Sequence, residues 1–172
     1  GIAVVNGFFS ADKAPGLFDV ISTNLVLEHL RDPIGLVEQA KSVLAPGGLL
    51  FVSSPNDFNP LQMVLWRKMG FAPWWVVPRH HLNYFDGESA RRFFTARGLK
   101  TLHQENSYPL ENFLLAGRNY VGNDVVGRQC HAERKAFETA LFRHDKAQIK
   151  ALAASWSAQG IGREFIILGQ KP

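Results

Sequence analysis

The sequence has one cysteine, Cys130, in 172 residues. Neither an intramolecular disulfide framework nor a cysteine-built zinc cluster is therefore available to it. This usage fits a reducing compartment, and a cytoplasmic location is expected. No stretch approaches the roughly 20 apolar residues needed to span a bilayer. No G-x-G-x-x-G sits between a strand and a helix, which argues against a nicotinamide-dependent dehydrogenase. Internal repeats and low-complexity tracts are also missing. The first residue is glycine, and Gly1-Ile2-Ala3-Val4-Val5 runs directly into strand-like sequence. The chain is expected to be an excerpt from a longer protein.

What remains is ordinary for a globular protein. Hydrophobic residues make up 46% and charged residues 20%, and the length suits one domain with a real core. The net charge of +4 is unevenly spread. Residues 1–66 hold three Lys/Arg against six Asp/Glu, and residues 67–172 hold sixteen against nine. The later cations alternate with acids along helical sequence, as in Glu133-Arg134-Lys135. A solvated surface is expected there rather than a nucleic-acid face.

Two apolar runs, Phe18–Ile21 and Leu49–Val52, read as buried parallel strands. A helix is expected between them. Asp32 is a natural N-cap, Pro33 suits the first helical position, and Ile34, Val37, Ala40 and Leu44 mark a buried face. Pro46-Gly47-Gly48 is expected to stop that helix and turn the chain into the next strand. Ile2–Val5 would be a preceding strand. Residues 59–85 are aromatic and irregular, with a short helix capped at Asn59-Pro60. Asp86 opens a helix with Ala90, Phe93 and Phe94 inward, ended by Gly98, and Leu99–His103 is a strand. Residues 110–158 read as helical, with Phe137, Leu141, Ile149, Leu152 and Trp156 as core candidates. Arg163–Gly169 is a terminal strand.

Phe18-Asp19-Val20-Ile21, Val26-Leu27-Glu28-His29-Leu30, Asp32-Pro33, Leu44-Ala45-Pro46-Gly47-Gly48 and Ser54-Pro55-Asn56 follow at short, specific intervals. The ordered set resembles the fourth strand, following loop, helix and fifth strand of class I S-adenosylmethionine-dependent methyltransferases. The subgroup is the one with a Leu-Glu-His motif, which includes ubiquinone and menaquinone methyltransferases and many sugar and natural-product enzymes. His81-Leu82-Asn83-Tyr84-Phe85 resembles its lid region. The likeness is firm over residues 1–57, looser to about 105, and lost beyond.

The resemblance implies an α/β, partial Rossmann-like fold: a mostly parallel sheet with an antiparallel C-terminal strand and a helical insertion. A single truncated domain is expected, with cofactor-side strands at 1–57, an aromatic lid and helix at 58–105, the insertion at 106–160 and the terminal strand at 161–172. The family's glycine-rich turn, and the acidic residue that binds the cofactor ribose, have no counterpart here. Methyl transfer is therefore expected to need a preceding segment. The alternative is a non-catalytic module that does not bind cofactor alone.

In an open α/β sheet, ligands sit at the carboxyl ends of strands. The resemblance places Asn6, Gly7 and Phe8 toward the adenine of S-adenosylmethionine, with a core or turn role equally open to Phe8. Thr23 and Asn24 would meet its methionine part, or Asn24 would stabilise a turn. His29 is a candidate base for a hydroxyl acceptor, while a backbone-capping role for Glu28-His29 stays open. His81 is a second candidate. His80, Trp74, Trp75 and Tyr84 could line the pocket of a small-molecule acceptor, or simply form the core of a long loop. In ubiquinone O-methyltransferases a Glu-x-x-Glu-His arrangement is associated with a divalent metal. Leu25 stands at the first Glu position, so no metal is expected. A sheet cut short before Phe18 would expose an unpaired edge, and self-association through it is expected.

Overall fold

The computed structural model describes residues 3–172. Four strands form one sheet: β1 (Phe18–Asn24), β2 (Leu44–Pro55), β3 (Lys100–Asn106) and β4 (Glu164–Gln170), in the order β1-β2-β4-β3. β1 and β2 pair in parallel, and β4 runs antiparallel to both β2 and β3. Three strands thus share one direction and only the C-terminal strand opposes them, as the resemblance implied. Among the described residues, no helix is long and apolar enough to cross a membrane.

Local signals place the helices where the sequence suggests. Asp32 accepts a hydrogen bond from the Gly35 amide and starts α1 (Pro33–Val43). Asn59 accepts from the Leu61 and Gln62 amides and starts α2 (Pro60–Met69). Asp86 and Ser89 exchange bonds in a capping box that starts α3 (Gly87–Thr95). Each cap satisfies amide groups that the first helical turn leaves free.

The core lies between one face of the sheet and the α1 and α3 layer. Val37 and Ala40 of α1, and Ala90 and Phe94 of α3, meet Leu50, Val52, Phe165 and Ile167 of the strands. Burying each large side chain of this set contributes about 1.5–3 kcal/mol. Along β4, Phe165, Ile167 and Gly169 alternate into this layer. A Cβ on Gly169 would stand 2.7 Å from the Phe94 ring, so glycine is needed for this approach.

Several expectations change. Ala3–Val5 forms no strand, and Val4 and Val5 are exposed; Ile2 lies outside the described residues. An apolar run holds strand geometry only with a partner, and none pairs with it among the described residues. β1 is an edge strand rather than a buried one, with Val20 exposed. Ile34 is exposed too, because α1 reaches the sheet only through the narrower stripe of Val37, Ala40 and Val43. Pro46-Gly47-Gly48 falls inside β2 instead of before it. There the pairing skips, Phe18 facing Leu44 while Val20 already faces Leu49.

Between β3 and β4 the chain makes an excursion of α4 (Glu111–Leu115), α5 (Asp124–His144) and α6 (Lys146–Ala158). It leaves and returns at one point: the Ser107 amide donates to the Glu164 carbonyl at 2.9 Å, and the Glu164 amide donates to Ser107 Oγ at 3.1 Å. The expected core residues here are only half-buried, and Phe137 is exposed. α6 packs on β3 and on α5, but the outer faces of both helices meet solvent. Tyr108 anchors a small aromatic cluster with Phe113, Phe137 and Trp156 instead.

Candidate active site

β1 ends at Asn24, whose side chain accepts a hydrogen bond from Ser53 Oγ of the neighbouring strand. The next residue, Leu25, takes a left-handed backbone with φ of 55°. Side-chain-bearing residues pay for that conformation, and such outliers gather at functional sites. A short 3-10 turn over Leu27–His29 follows. It buries Glu28 beneath the sheet end and leaves His29 half-exposed.

The aromatic loop is latched onto this turn. The Leu82 and Asn83 amides donate to the Glu28 carbonyl at 2.7 and 3.1 Å. The Asn83 side chain donates to the carbonyls of Leu27 and Leu30 at 3.0 and 2.6 Å. His29 Nδ1 lies 2.7 Å from the His80 carbonyl oxygen. A carbonyl only accepts, so Nδ1 carries a hydrogen, an assignment made from this network. Nε2 sits 3.7 Å from Glu28 Oε1, and Glu28 Oε2 accepts from Ser54 Oγ at 2.9 Å. The His29 and His81 rings meet edge-on with centroids 5.0 Å apart. Burial lowers the His81 pKa and favours its neutral form at pH 7.

A cleft of about 940 Å³ opens beside this pair. Trp74 and Trp75 form part of its wall, with ring centroids 4.9 Å apart at 88°. The far side comes from α4, α5 and the turn between them, including Glu111 of α4 and Tyr120 of the turn. Asp57, just beyond β2, lines it as well; burial, and then the charges of Glu28 and Glu111, push its carboxyl up to about 7. Burial likewise raises the Tyr120 pKa and keeps that hydroxyl protonated.

The structure therefore gathers His29, His81, Trp74 and Trp75 at one cleft. His80 contributes its backbone carbonyl rather than its ring. Tyr84 stands behind the wall, its hydroxyl accepting from the Val77 amide at 3.0 Å. Thr23 and Asn24 lie at the end of β1, and Thr23 Oγ1 is buried without a partner. Asn6, Gly7 and Phe8 are not brought to the cleft, and Phe8 is 96% exposed.

Glu28, Asp57, Gln62, Glu111 and Tyr120 are cleft residues that sequence reasoning did not assign to the site. The rule that singled out Thr23 at the carboxyl end of β1 also applies to Asp57 beyond β2 and could have found it. Gln62, on α2, and Glu111 carry no such signal, and Glu111 is set beside the sheet end only by the folded excursion. Glu28, His29 and His81 each offer a ligand atom, and these lie within 4.8 Å of one another. Such a set admits a divalent cation, with His81 from the loop as a third donor that chain spacing does not reveal.

A family profile described as a methyltransferase domain matches residues 3–104. The chain belongs to that family. Its resemblance to class I S-adenosylmethionine-dependent methyltransferases stands with the match. Over 46 residues it is 41% identical to the ubiquinone biosynthesis O-methyltransferase of Xanthomonas campestris pv. campestris, which covers 27% of this chain and 19% of that one. It is 40% identical over 42 residues to the enzyme of the same name from Colwellia psychrerythraea, covering 24% and 17%. The chain thus spans about a fifth of the length of these curated relatives. A solved SAM dependent methyltransferase from Archaeoglobus fulgidus shows 13% identity and a TM-score of 0.48, over 94% of this chain and 63% of that one.

Proposed function

We propose that the protein transfers a methyl group from S-adenosylmethionine to a hydroxyl of a small molecule held in the cleft, with His29 as the general base. The observation that carries this reading is the bond between His29 Nδ1 and the His80 carbonyl. It points the basic Nε2 toward the cleft and leaves Glu28 near enough to stabilise the imidazolium that forms. This orientation logic is the one general bases use elsewhere.

The residues at the end of β1 fit the cofactor's methionine end. Thr23 Oγ1 is a buried atom awaiting a partner, Asn24 can both donate and accept, and Leu25 turns the backbone sharply there. When bound, S-adenosylmethionine supplies an electrophilic sulfonium methyl. Trp74 and Trp75 exclude water from the acceptor, and positioning provides much of the acceleration. His29 Nε2 would take the proton of the acceptor hydroxyl as that oxygen accepts the methyl group. His81, neutral, orients the acceptor.

The remaining assignments are part of the same reading. Transfer requires a segment carrying the glycine-rich turn, residues 106–160 form an insertion that closes the acceptor cleft, and no metal is needed. The protein acts in the cytoplasm, and the isolated chain, with β1 at its sheet edge, pairs with a second copy along that strand.

A second reading is a non-catalytic module that binds no cofactor by itself. The exposure of Phe8, which the family resemblance places on the adenine, favours it. One experiment separates the two. Release of S-adenosylhomocysteine is followed in protein that carries the glycine-rich segment, with His29→Gln beside the unsubstituted form. A loss of about 10²–10⁴-fold in turnover, with S-adenosylhomocysteine affinity unchanged in calorimetry, is expected. Absence of any calorimetric binding would select the second reading, and undiminished turnover in the variant would remove His29 from its role.

A further inference from the structure

The buried and the exposed parts of the cleft differ in charge. Buried in it are three carboxyls, Glu28, Asp57 and Glu111. Its exposed wall is basic. Arg128, His131 and Lys135 recur at spacings of three and four residues, so a single stripe of α5 brings all three to the cleft. Arg163, just before β4, joins them from the other end of the excursion. Arg128 and Lys135 are exposed, and among the described residues neither pairs with an acid. Two acids of α5 are engaged elsewhere, Glu133 by Arg118 and Glu138 by Arg134. Glu164 stands 3.5 Å from Arg163, and Asp124 lies two turns from His131 at the start of α5.

His131 registers the balance of charge along this wall. Burial, then Arg134, Arg163 and Lys135, lower its pKa against a smaller opposing effect of Glu164, which favours the neutral ring at pH 7. Its Nδ1 lies 3.4 Å from an Arg134 nitrogen. Arginine only donates, so the neutral ring carries its hydrogen on Nε2. The wall thus offers donors throughout: the guanidinium groups of Arg128 and Arg163, the ammonium of Lys135 and the His131 N–H.

A cation on an open helix face is met by water and contributes little. Here the stripe lines a concavity, and a cleft lined by one sign of charge concentrates its field on what enters. Such a wall repels a cation and gives a neutral hydroxyl little. An oxyanion accepts from every group on it, and a guanidinium fork matches the geometry of phosphate and carboxylate.

We propose that the α5 wall of the cleft, through Arg128, His131, Lys135 and Arg163, binds an oxyanionic group, a phosphate or a carboxylate. As a statement about the methyl acceptor this rests on the reading of the cleft given above; as a statement about binding it stands alone. The anionic group lies on α5, and the reacting hydroxyl reaches His29 across the same cleft. The buried carboxyls repel an anion and so fix that direction.

The test is direct binding by calorimetry, which needs no methyl transfer. Phenyl phosphate and benzoate are the anionic probes, and benzyl alcohol and benzylamine are their neutral and cationic counterparts. At least one anion is expected to bind about fivefold or more tightly than benzyl alcohol, and added salt should weaken the anion alone. The preferred anion identifies the group. Arg128→Gln and Lys135→Gln, both at exposed helical positions, should each weaken anion binding about two- to fivefold. Lys150→Gln, on α6 and outside the cleft, should leave it unchanged. In a proton NMR titration, saturating anion should raise the His131 pKa, which a loss of fold would not mimic. No binding of either anion, equal affinity for anion and benzyl alcohol, tighter binding of benzylamine, equal weakening by Lys150→Gln, or an unmoved His131 would overturn the proposal. Anion binding to protein that releases no S-adenosylhomocysteine leaves it standing and counts against the enzymatic reading. Methylation of neutral acceptors with no anion bound does the reverse.

Discussion

The side-chain amide of Asn83 bridges the carbonyls of Leu27 and Leu30, and so fastens the aromatic loop to the turn that carries His29. Both the His80 carbonyl and the His81 ring depend on where that loop lies. Asn83→Leu should unlatch it. About a tenfold or larger fall in turnover is expected, with little change in cofactor affinity and a stability loss of about 1–3 kcal/mol. A fall in stability with unchanged turnover would show the latch to be structural only.

Asp57 gives the fold a pH dependence of unusual sign for a carboxylate. Its pKa is raised from 3.8 to about 7 by burial and by Glu28 and Glu111, so the folded state holds its proton more tightly than the unfolded chain does. Stability from this group is present at low pH and declines as pH climbs from about 4 through 7. The full loss is at most about 4 kcal/mol. Urea unfolding of the parent and Asp57→Asn should be nearest to coinciding at about pH 3.5 and diverge steadily to pH 8, with the variant the more stable. His81 titrates alike in both proteins and cancels. Parallel pH profiles would refute the prediction.

Gly169 packs without a side chain against Phe94, which is fully buried in α3. Gly169→Ala should destabilise by about 1–3 kcal/mol through overpacking. Adding Phe94→Leu should cost less than the two single changes summed, since the smaller side chain relieves the clash. Additive losses would place the strain elsewhere.

Among the described residues β1 is paired on one side only, and Val20 is exposed on it. Unpaired edges invite strand addition, and lysine blunts them. Light scattering should find a dimer for the parent chain and a monomer for Val20→Lys. A monomeric parent would dispose of the expected edge pairing.

Elements announced by chemistry within a few residues were legible in the sequence. Asp32-Pro33, Asn59-Pro60 and Asp86 each start a helix as expected, since a cap needs only its own first turn. Burial was less legible, because it depends on what lies opposite. Val20, Ile34 and Phe137 are apolar in sequence and exposed in the fold. The site divides in the same way. His29 follows from its place after β1, whereas Glu111 reaches the cleft only because the excursion folds back over the sheet.

That excursion departs at Ser107 and rejoins at Glu164, residues bonded to each other, so it forms a closed branch on the sheet. A segment inserted in this way is modular in evolution. Its length and sequence can change by exchange of the whole branch while β3 and β4 keep their register, and a short hairpin turn could stand in its place. Since the branch supplies one wall of the cleft and the turn after β1 supplies His29, the shape of the cleft can be altered while the setting of His29 is kept.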